Sequence, residues 1–153
     1  MKGITFEKNN AQGLTIGIVV ARWNNELTYA LRDDCQRALL DAGIQEKDIT
    51  VLEVPGSYEV VYGASHLIQK KHVDAVVAIG CLIKGETMHF EYIAEAVSQG
   101  IMDLNTQSGT PVLFGVLTCL TEDQARERAL GEKNHGYAWG QSAIEMARIK
   151  HSM

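Results

Sequence analysis

Leu14-Thr-Ile-Gly-Ile-Val-Val-Ala21, then the turn Arg22-Trp23-Asn24-Asn25, then Glu26-Leu-Thr-Tyr-Ala-Leu-Arg-Asp-Asp-Cys-Gln-Arg-Ala-Leu-Leu-Asp-Ala42 before Gly43, reads as strand, turn and amphipathic helix. The first run is almost continuously apolar and β-branched, which indicates a strand covered on both faces, as in a parallel sheet. Leu27, Leu31, Cys35, Ala38, Leu39 and Ala42 fall on one helical face, with Asn24 or Asn25 as N-cap and Gly43 as the stop. A second apolar run, Ile49 to Val54, completes a β-α-β unit.

The pattern continues. Further strands are predicted over Val73 to Gly80 and Pro111 to Leu117. A helix starting at Ser57 would bury Val60 or Val61, Ala64, Leu67 and Ile68, and one starting at Thr87 would bury Phe90, Ile93, Val97, Ile101 and Leu104. Thr121 and Gln124 have capping-box spacing, and after the break from Leu130 to Gly136 a last helix runs through Ala143, Ile144 and Ala147. These alternating elements predict right-handed crossovers and a three-layer α/β/α sandwich forming a single domain, residues 1–153. The segment Gly3 to Glu7 resembles an extra strand without a place in the chain's own sheet, and is expected to add to a neighbouring subunit.

Composition narrows the function classes. The chain has 153 residues, 46% of them hydrophobic, and a formal net charge of -5, with no basic cluster beyond Lys70 and Lys71, so nucleic acid and anionic membrane surfaces are not expected partners. Cys35, Cys81 and Cys119 are odd in number and lack metal or redox spacing, which suits buried thiols in a reducing compartment. There is no signal-like or membrane-length apolar run, and a soluble, cytoplasmic protein is the expectation.

In an open parallel sheet, ligands bind beyond the carboxyl ends of the strands. There the sequence places Arg22, Trp23 and Asn24, then Pro55, Gly56, Ser57, Tyr58 and Glu59, then Cys81 to His89. Trp23 and Tyr58 suit stacking on a flat ring, main-chain groups of Cys81, Leu82 and Ile83 suit its polar edge, and Glu59 suits hydroxyls of an attached polyol. Gly85, Glu86 and Thr87 at a helix N-terminus form an expected anion seat beside His89, whose imidazole the helix end should keep neutral for proton transfer. Arg128 offers a planar fork for phosphate.

Each residue has a plainer reading: packing for Trp23, helix-end acids for Glu59 and Glu91, a solvated turn charge for Lys84, intrahelical pairing for Arg128. His66, His72 and His151 read as surface histidines with no assigned role. No metal-ligand cluster, nucleophile elbow, Walker sequence or dinucleotide fingerprint is present, so neither metal nor cofactor is expected.

Six ordered segments resemble the motifs of the lumazine synthase family: Val-Ala-Arg-Trp-Asn (20–24), Val-Pro-Gly-Ser-Tyr-Glu (54–59), Gly-Cys-Leu-Ile-Lys-Gly-Glu-Thr-Met-His-Phe-Glu-Tyr-Ile (80–93), Pro-Val-Leu-Phe-Gly-Val-Leu-Thr (111–118), Gln-Ala-Arg-Glu-Arg-Ala (124–129) and Ser-Ala-Ile-Glu-Met-Ala (142–147). The resemblance implies a four-stranded parallel, flavodoxin-like sheet. It also implies condensation of 5-amino-6-(D-ribitylamino)uracil with 3,4-dihydroxy-2-butanone 4-phosphate to 6,7-dimethyl-8-ribityllumazine, in riboflavin biosynthesis and without a cofactor. On that basis Trp23 stacks on the pyrimidine, Ser57, Tyr58 and Glu59 wall the ring and ribityl chain, Cys81, Leu82 and Ile83 hold the ring edge, and Asn24 is a further substrate-binding position. Glu86 and Thr87 seat the phosphate, His89 moves protons, and Lys84 and Gly85 are further candidate site positions. Phe114 and Arg128 match positions supplied by the adjacent subunit of a homo-oligomer, a pentamer or an icosahedral shell of twelve pentamers. The family's Gly-Asn-Lys-Gly turn is replaced by Lys133-Asn134-His135-Gly136, leaving Lys133 and His135 as alternative phosphate ligands. Riboflavin and riboflavin synthase are further partners that the resemblance suggests. The alternatives are a flavin-binding module, for which Trp23 would stack on riboflavin, and an inactive shell-forming subunit, against which intact Glu59, His89 and Arg128 argue.

Overall fold

The structure is a computed structural model and describes residues 3–6 and 11–152. Among these, β1 (Ile16–Ala21), β2 (Ile49–Val54), β3 (Ala75–Ile83) and β4 (Val112–Cys119) form one sheet. All pairs are parallel and the order is β2-β1-β3-β4. The α-helices are α1 (Asn25–Asp41), α2 (Val60–Lys71), α3 (His89–Ser108), α4 (Glu122–Ala129) and α5 (Gly136–His151). The topology is flavodoxin-like, as the resemblance implied.

Alternation along the strands feeds two cores. Ile16, Ile18 and Val20 of β1 and Ala75, Val77, Ile79 and Cys81 of β3 pack with Leu31, Cys35 and Leu39 of α1 and Ala143 and Ala147 of α5. Val19, Ala21, Val76 and Ala78 face the other way, against Val60, Ala64 and Leu67 of α2 and Val97 and Ile101 of α3. Fully burying side chains of this size contributes about 1.5–3 kcal/mol each, so strands buried on both faces hold the layers together. Helices α1 and α5 approach closely at Gly140, where an added Cβ would lie 2.7 Å from the Cys35 carbonyl oxygen and 2.8 Å from the Ala38 Cβ.

Several predicted boundaries move. β1 begins at Ile16, two residues later than its apolar run. β3 starts at Ala75 and continues past Gly80 to Ile83, because β4 pairs with it as far as Ile83↔Cys119. Ser57–Glu59 is a short 3-10 turn and α2 proper starts at Val60. α3 starts at His89 instead of Thr87, and only Val97 and Ile101 of its predicted apolar face are fully buried. The Thr121 hydroxyl accepts from the Gln124 amide at 3.2 Å, but the Gln124 side chain accepts from Leu120 N–H at 2.8 Å, a capping box shifted by one residue. Residues 3–6 form no strand, and Glu7 lies outside the described residues.

Candidate functional site

The strand order places β1 and β3 side by side with their outgoing connections on opposite faces, and the cleft above them is the natural ligand position. Its floor is built by main-chain bonds. Beyond β1, Arg22 N–H donates to the Val54 carbonyl at 2.9 Å and Trp23 N–H to the Pro55 carbonyl at 3.0 Å, so the turn after β1 is zipped to the turn after β2. This holds the Trp23 indole against Gly56, where a built Cβ would lie 2.9 Å from indole Cδ1 and 3.5 Å from the Glu59 Oε1. Trp23 is 74% exposed and Tyr58 62%, so both ring faces remain available for stacking. Ser57, by contrast, is buried and packs its side chain onto Gly80, leaving no room for a β-carbon there. Its side chain locks the turn to β3 and does not line an open wall.

The third side is the free edge of β3. The β1–β3 ladder ends at Val20↔Ile79, so residues 80–83 have no β1 partner. Instead the Asn24 side chain donates from Nδ2 to the Cys81 carbonyl at 2.9 Å. Lys84 N–H donates to the Cys119 carbonyl at 2.9 Å on the β4 side. Alternation therefore directs Leu82 and Lys84 toward β4, and Cys81 and Ile83 toward the cleft. Of the three residues expected to hold a ring edge, Ile83 has main-chain groups that are free to do so, Cys81 already shares its carbonyl with Asn24, and Leu82 is turned away. The Cys81 thiol is pushed up to about 12 by burial and by neighbouring Cys119, so it is no nucleophile at neutral pH.

Past β3 the chain makes an exposed turn, Lys84 to Met88, into α3. Because the helix starts two residues later than predicted, the amides without an intrahelical partner are those of Met88–Glu91. The Thr87 hydroxyl already accepts from His89 N–H at 3.4 Å. Nothing lies within 4 Å of a Cβ built on Gly85, so the turn stays open. His89, first residue of α3, is exposed at its rim. Lys84 is an exposed turn charge, and its Nζ lies 3.0 Å from the Glu91 Oε1, an ion pair that closes the turn end to end. That contact, first, and Glu91's own amide hold its carboxyl below the usual range, while its second oxygen is buried without a partner.

Phe114 does not join this cleft, and Arg128 is engaged on its own helix. Phe114 sits mid-strand opposite Ala78, facing a groove of about 470 Å³ lined by Phe90, Glu91, Glu95 and Leu120. With β3 intervening, it lies about 10 Å across the sheet and, counting register from Val20↔Ile79, about 13 Å along it from Trp23. Arg128 donates to the Gln124 carbonyl at 3.0 Å and lies 3.8 Å from Glu127, the intrahelical pairing of its plainer reading. His135 accompanies it: His135 N–H donates to the Arg128 carbonyl at 2.9 Å, and burial, then the Arg128 charge, lower its imidazole pKa. Lys133 closes a 3-10 turn beside them, held by Asn134, whose side chain donates to the Ala30 carbonyl at 3.0 Å.

Two features escaped the sequence reading. The Lys84–Glu91 pair had a signal in the seven-residue spacing across a turn, whereas the Asn24–Cys81 bond spans 57 residues and had none. Among the described residues no group of three metal-ligating side chains occurs, and no helix is long and apolar enough to cross a membrane.

Comparison with known proteins is consistent over nearly the whole chain. Residues 13–151 match the model of the 6,7-dimethyl-8-ribityllumazine synthase family. The chain is 43% identical to a 6,7-dimethyl-8-ribityllumazine synthase of Flavobacterium psychrophilum, over 95% of this chain and 79% of that one. It is 44% identical to the protein of that name from Aquifex aeolicus, over 95% and 96%, and 40% to that of Pyricularia oryzae, over 95% and 92%. A four-stranded parallel sheet with aromatic and acidic side chains at its rim thus comes with a matching sequence over residues 13–151, and the chain belongs to the 6,7-dimethyl-8-ribityllumazine synthase family.

Proposed function

We propose that this chain condenses 5-amino-6-(D-ribitylamino)uracil with 3,4-dihydroxy-2-butanone 4-phosphate to give 6,7-dimethyl-8-ribityllumazine, phosphate and water. The observation that carries the assignment to this cleft is the convergence of Trp23, Gly56 and Glu59 beside the unpaired edge of β3, with the amides of α3 and His89 beyond it. The indole stacks on the pyrimidine, Ile83 reads its edge and Glu59 accepts from ribityl hydroxyls. The phosphate lies against the N-terminus of α3, where backbone N–H groups and the helix field favour an anion.

The substrates supply the reactive groups. The pyrimidine's primary amine attacks the ketone and water leaves to form a Schiff base. Loss of a proton and of phosphate follows, and the ribityl-bearing nitrogen closes the second ring as another water departs. His89 at the rim carries protons between these steps, and the protein contributes orientation and charge stabilisation.

The active unit is a homo-oligomer in which Phe114 and Arg128 of an adjacent copy complete each cleft, with Lys133 or His135 beside that arginine. The separation of Phe114 from Trp23 within one chain supports this reading. So do the exposed apolar side chains Tyr58, Tyr62, Met88, Tyr92 and Met102 on α2, α3 and the turns before them. Residues 3–6, which form no strand in the chain's own sheet, are available to pair with a neighbour's sheet edge. The direct test is to mix purified protein with both substrates and follow the lumazine by absorbance and mass. A rate no greater than that of the protein-free mixture would refute the assignment.

A further inference from the structure

Asn24 stands at the point where the two central strands part. Its backbone is left-handed, φ 62 and ψ 42, a region that asparagine tolerates better than most non-glycine residues. It is the N-cap of α1, yet its side chain makes no capping bond. The cap is supplied by its carbonyl, which accepts from Leu27 N–H at 2.9 Å and Thr28 N–H at 3.0 Å. The amide, freed from capping, crosses to β3 and donates to the Cys81 carbonyl at 2.9 Å.

This bond stands in for the ladder that β1 no longer provides. Residues 80–83 are held by β4 on one side, through Ile83↔Cys119, and on the other side by Asn24. We infer that Asn24 is a positioning residue for the proposed synthase reaction: it fixes the Cys81–Ile83 edge, so that Ile83 meets the pyrimidine ring, without itself touching substrate. The inference rests on the proposed function for its ligand, but its structural half is testable without one.

Asn24→Gly keeps the left-handed backbone and removes the donor. Asn24→Asp keeps the shape and sets an acceptor against the carbonyl. In the ligand-free full-length protein, amide hydrogen exchange at Leu82 and Lys84 is expected to speed up about fivefold in both variants, the effect of one lost hydrogen bond. Exchange within α1 stays at the wild-type rate. In steady-state assays KM for the pyrimidine rises about five- to tenfold while KM for the phosphorylated ketone is unchanged. Unchanged exchange with a raised KM would mean that Asn24 contacts substrate directly, and would overturn the inference. Equal rises in both KM values, or no change in either measurement, would also overturn it. If wild-type protein shows no synthase activity, the proposed function fails, while the exchange measurement still decides whether Asn24 holds the β3 edge.

Discussion

The indole of Trp23 rests on Gly56, close enough that a methyl group at residue 56 would stand 2.9 Å from its Cδ1. Gly56 has φ -150 and ψ -177, extended backbone that alanine adopts without strain, so Gly56→Ala changes only the space beneath the ring. The methyl displaces the indole and crowds the Glu59 carboxylate. KM for the pyrimidine should rise on the order of tenfold, as expected for a sub-ångström displacement of a positioning group, with thermal stability nearly unchanged. A variant with wild-type KM would remove Trp23 from the ring-binding role.

Gly80 and Ser57 form a second tight contact, with a different consequence. Here the added methyl of Gly80→Ala meets a buried hydroxyl and the Ser57 backbone, which cannot swing into solvent. The substitution should cost about 1–3 kcal/mol in denaturant unfolding, in the range of overpacked cores. Most of that should return in the double variant Gly80→Ala with Ser57→Gly. Additive losses in the double variant would show that the collision is not the cause.

These two contacts mark what the sequence disclosed and what it withheld. The apolar runs announced β1 and the middle of β3 because strands buried on both faces have no polar residues to obscure them, while β2, an edge strand that carries Thr50 and Glu53, was legible from its β-branched residues. The end of β3 was missed because Leu82 and Ile83 precede a glycine turn, and only pairing with β4 decides how far a strand continues. The positions of Trp23, Glu59 and His89 beyond the strand ends were legible from the sequence. The roles of Ser57 and Asn24 were not, since one depends on a missing β-carbon at Gly80 and the other on a carbonyl in a distant segment. Which chain completes the cleft at Phe114 and Arg128 became a geometric question only once strand order and register were known.

Glu91 sits in the first turn of α3 and holds Lys84 at 3.0 Å. It thereby places a negative charge at the end of the helix that the phosphate needs and occupies a cation next to it. Glu91→Gln should strengthen inhibition by inorganic phosphate several-fold, and the gain should fade at high salt. It should also lower turnover, because the turn bearing His89 loses its clasp. Unchanged phosphate inhibition at low salt would separate this ion pair from the anion seat.

Arg128 tests the shared cleft. Arg128→Ala should raise KM for the phosphorylated ketone far more than for the pyrimidine, since a guanidinium fork grips phosphate and has no partner on the ring. Equal losses for both substrates would refute that role. If His89 and Arg128 of one cleft come from different copies, reassembling His89→Ala subunits together with Arg128→Ala subunits should restore activity that neither has alone. Failure of the mixture, with mixed oligomers shown by native mass measurement, would place both residues in the same chain's cleft.

At the opposite end of the sheet, Asp74 ties the start of β3 to β1 and to the end of α5. Its Oδ2 accepts from Thr15 N–H at 2.8 Å and from the Thr15 hydroxyl at 3.1 Å, and its Oδ1 lies 2.7 Å from His151 Nε2. Burial alone would raise the carboxyl's pKa, but the Thr15 amide, His151 and the Thr15 hydroxyl outweigh it and leave it below its ordinary 3.8. A carboxyl depressed in the folded state contributes stability that is fully present above 3.8 and is lost as pH falls through the lower, folded value. Asp74→Asn should therefore cost about 1–2 kcal/mol at pH 7, the scale of hydrogen bonds to a charged acceptor. Below pH 3.8 the gap to wild type should shrink as the native carboxylate takes up its proton. Unfolding followed by circular dichroism at both pH values measures it, and a gap that stays constant into acid would show that Asp74 acts through shape and not through charge.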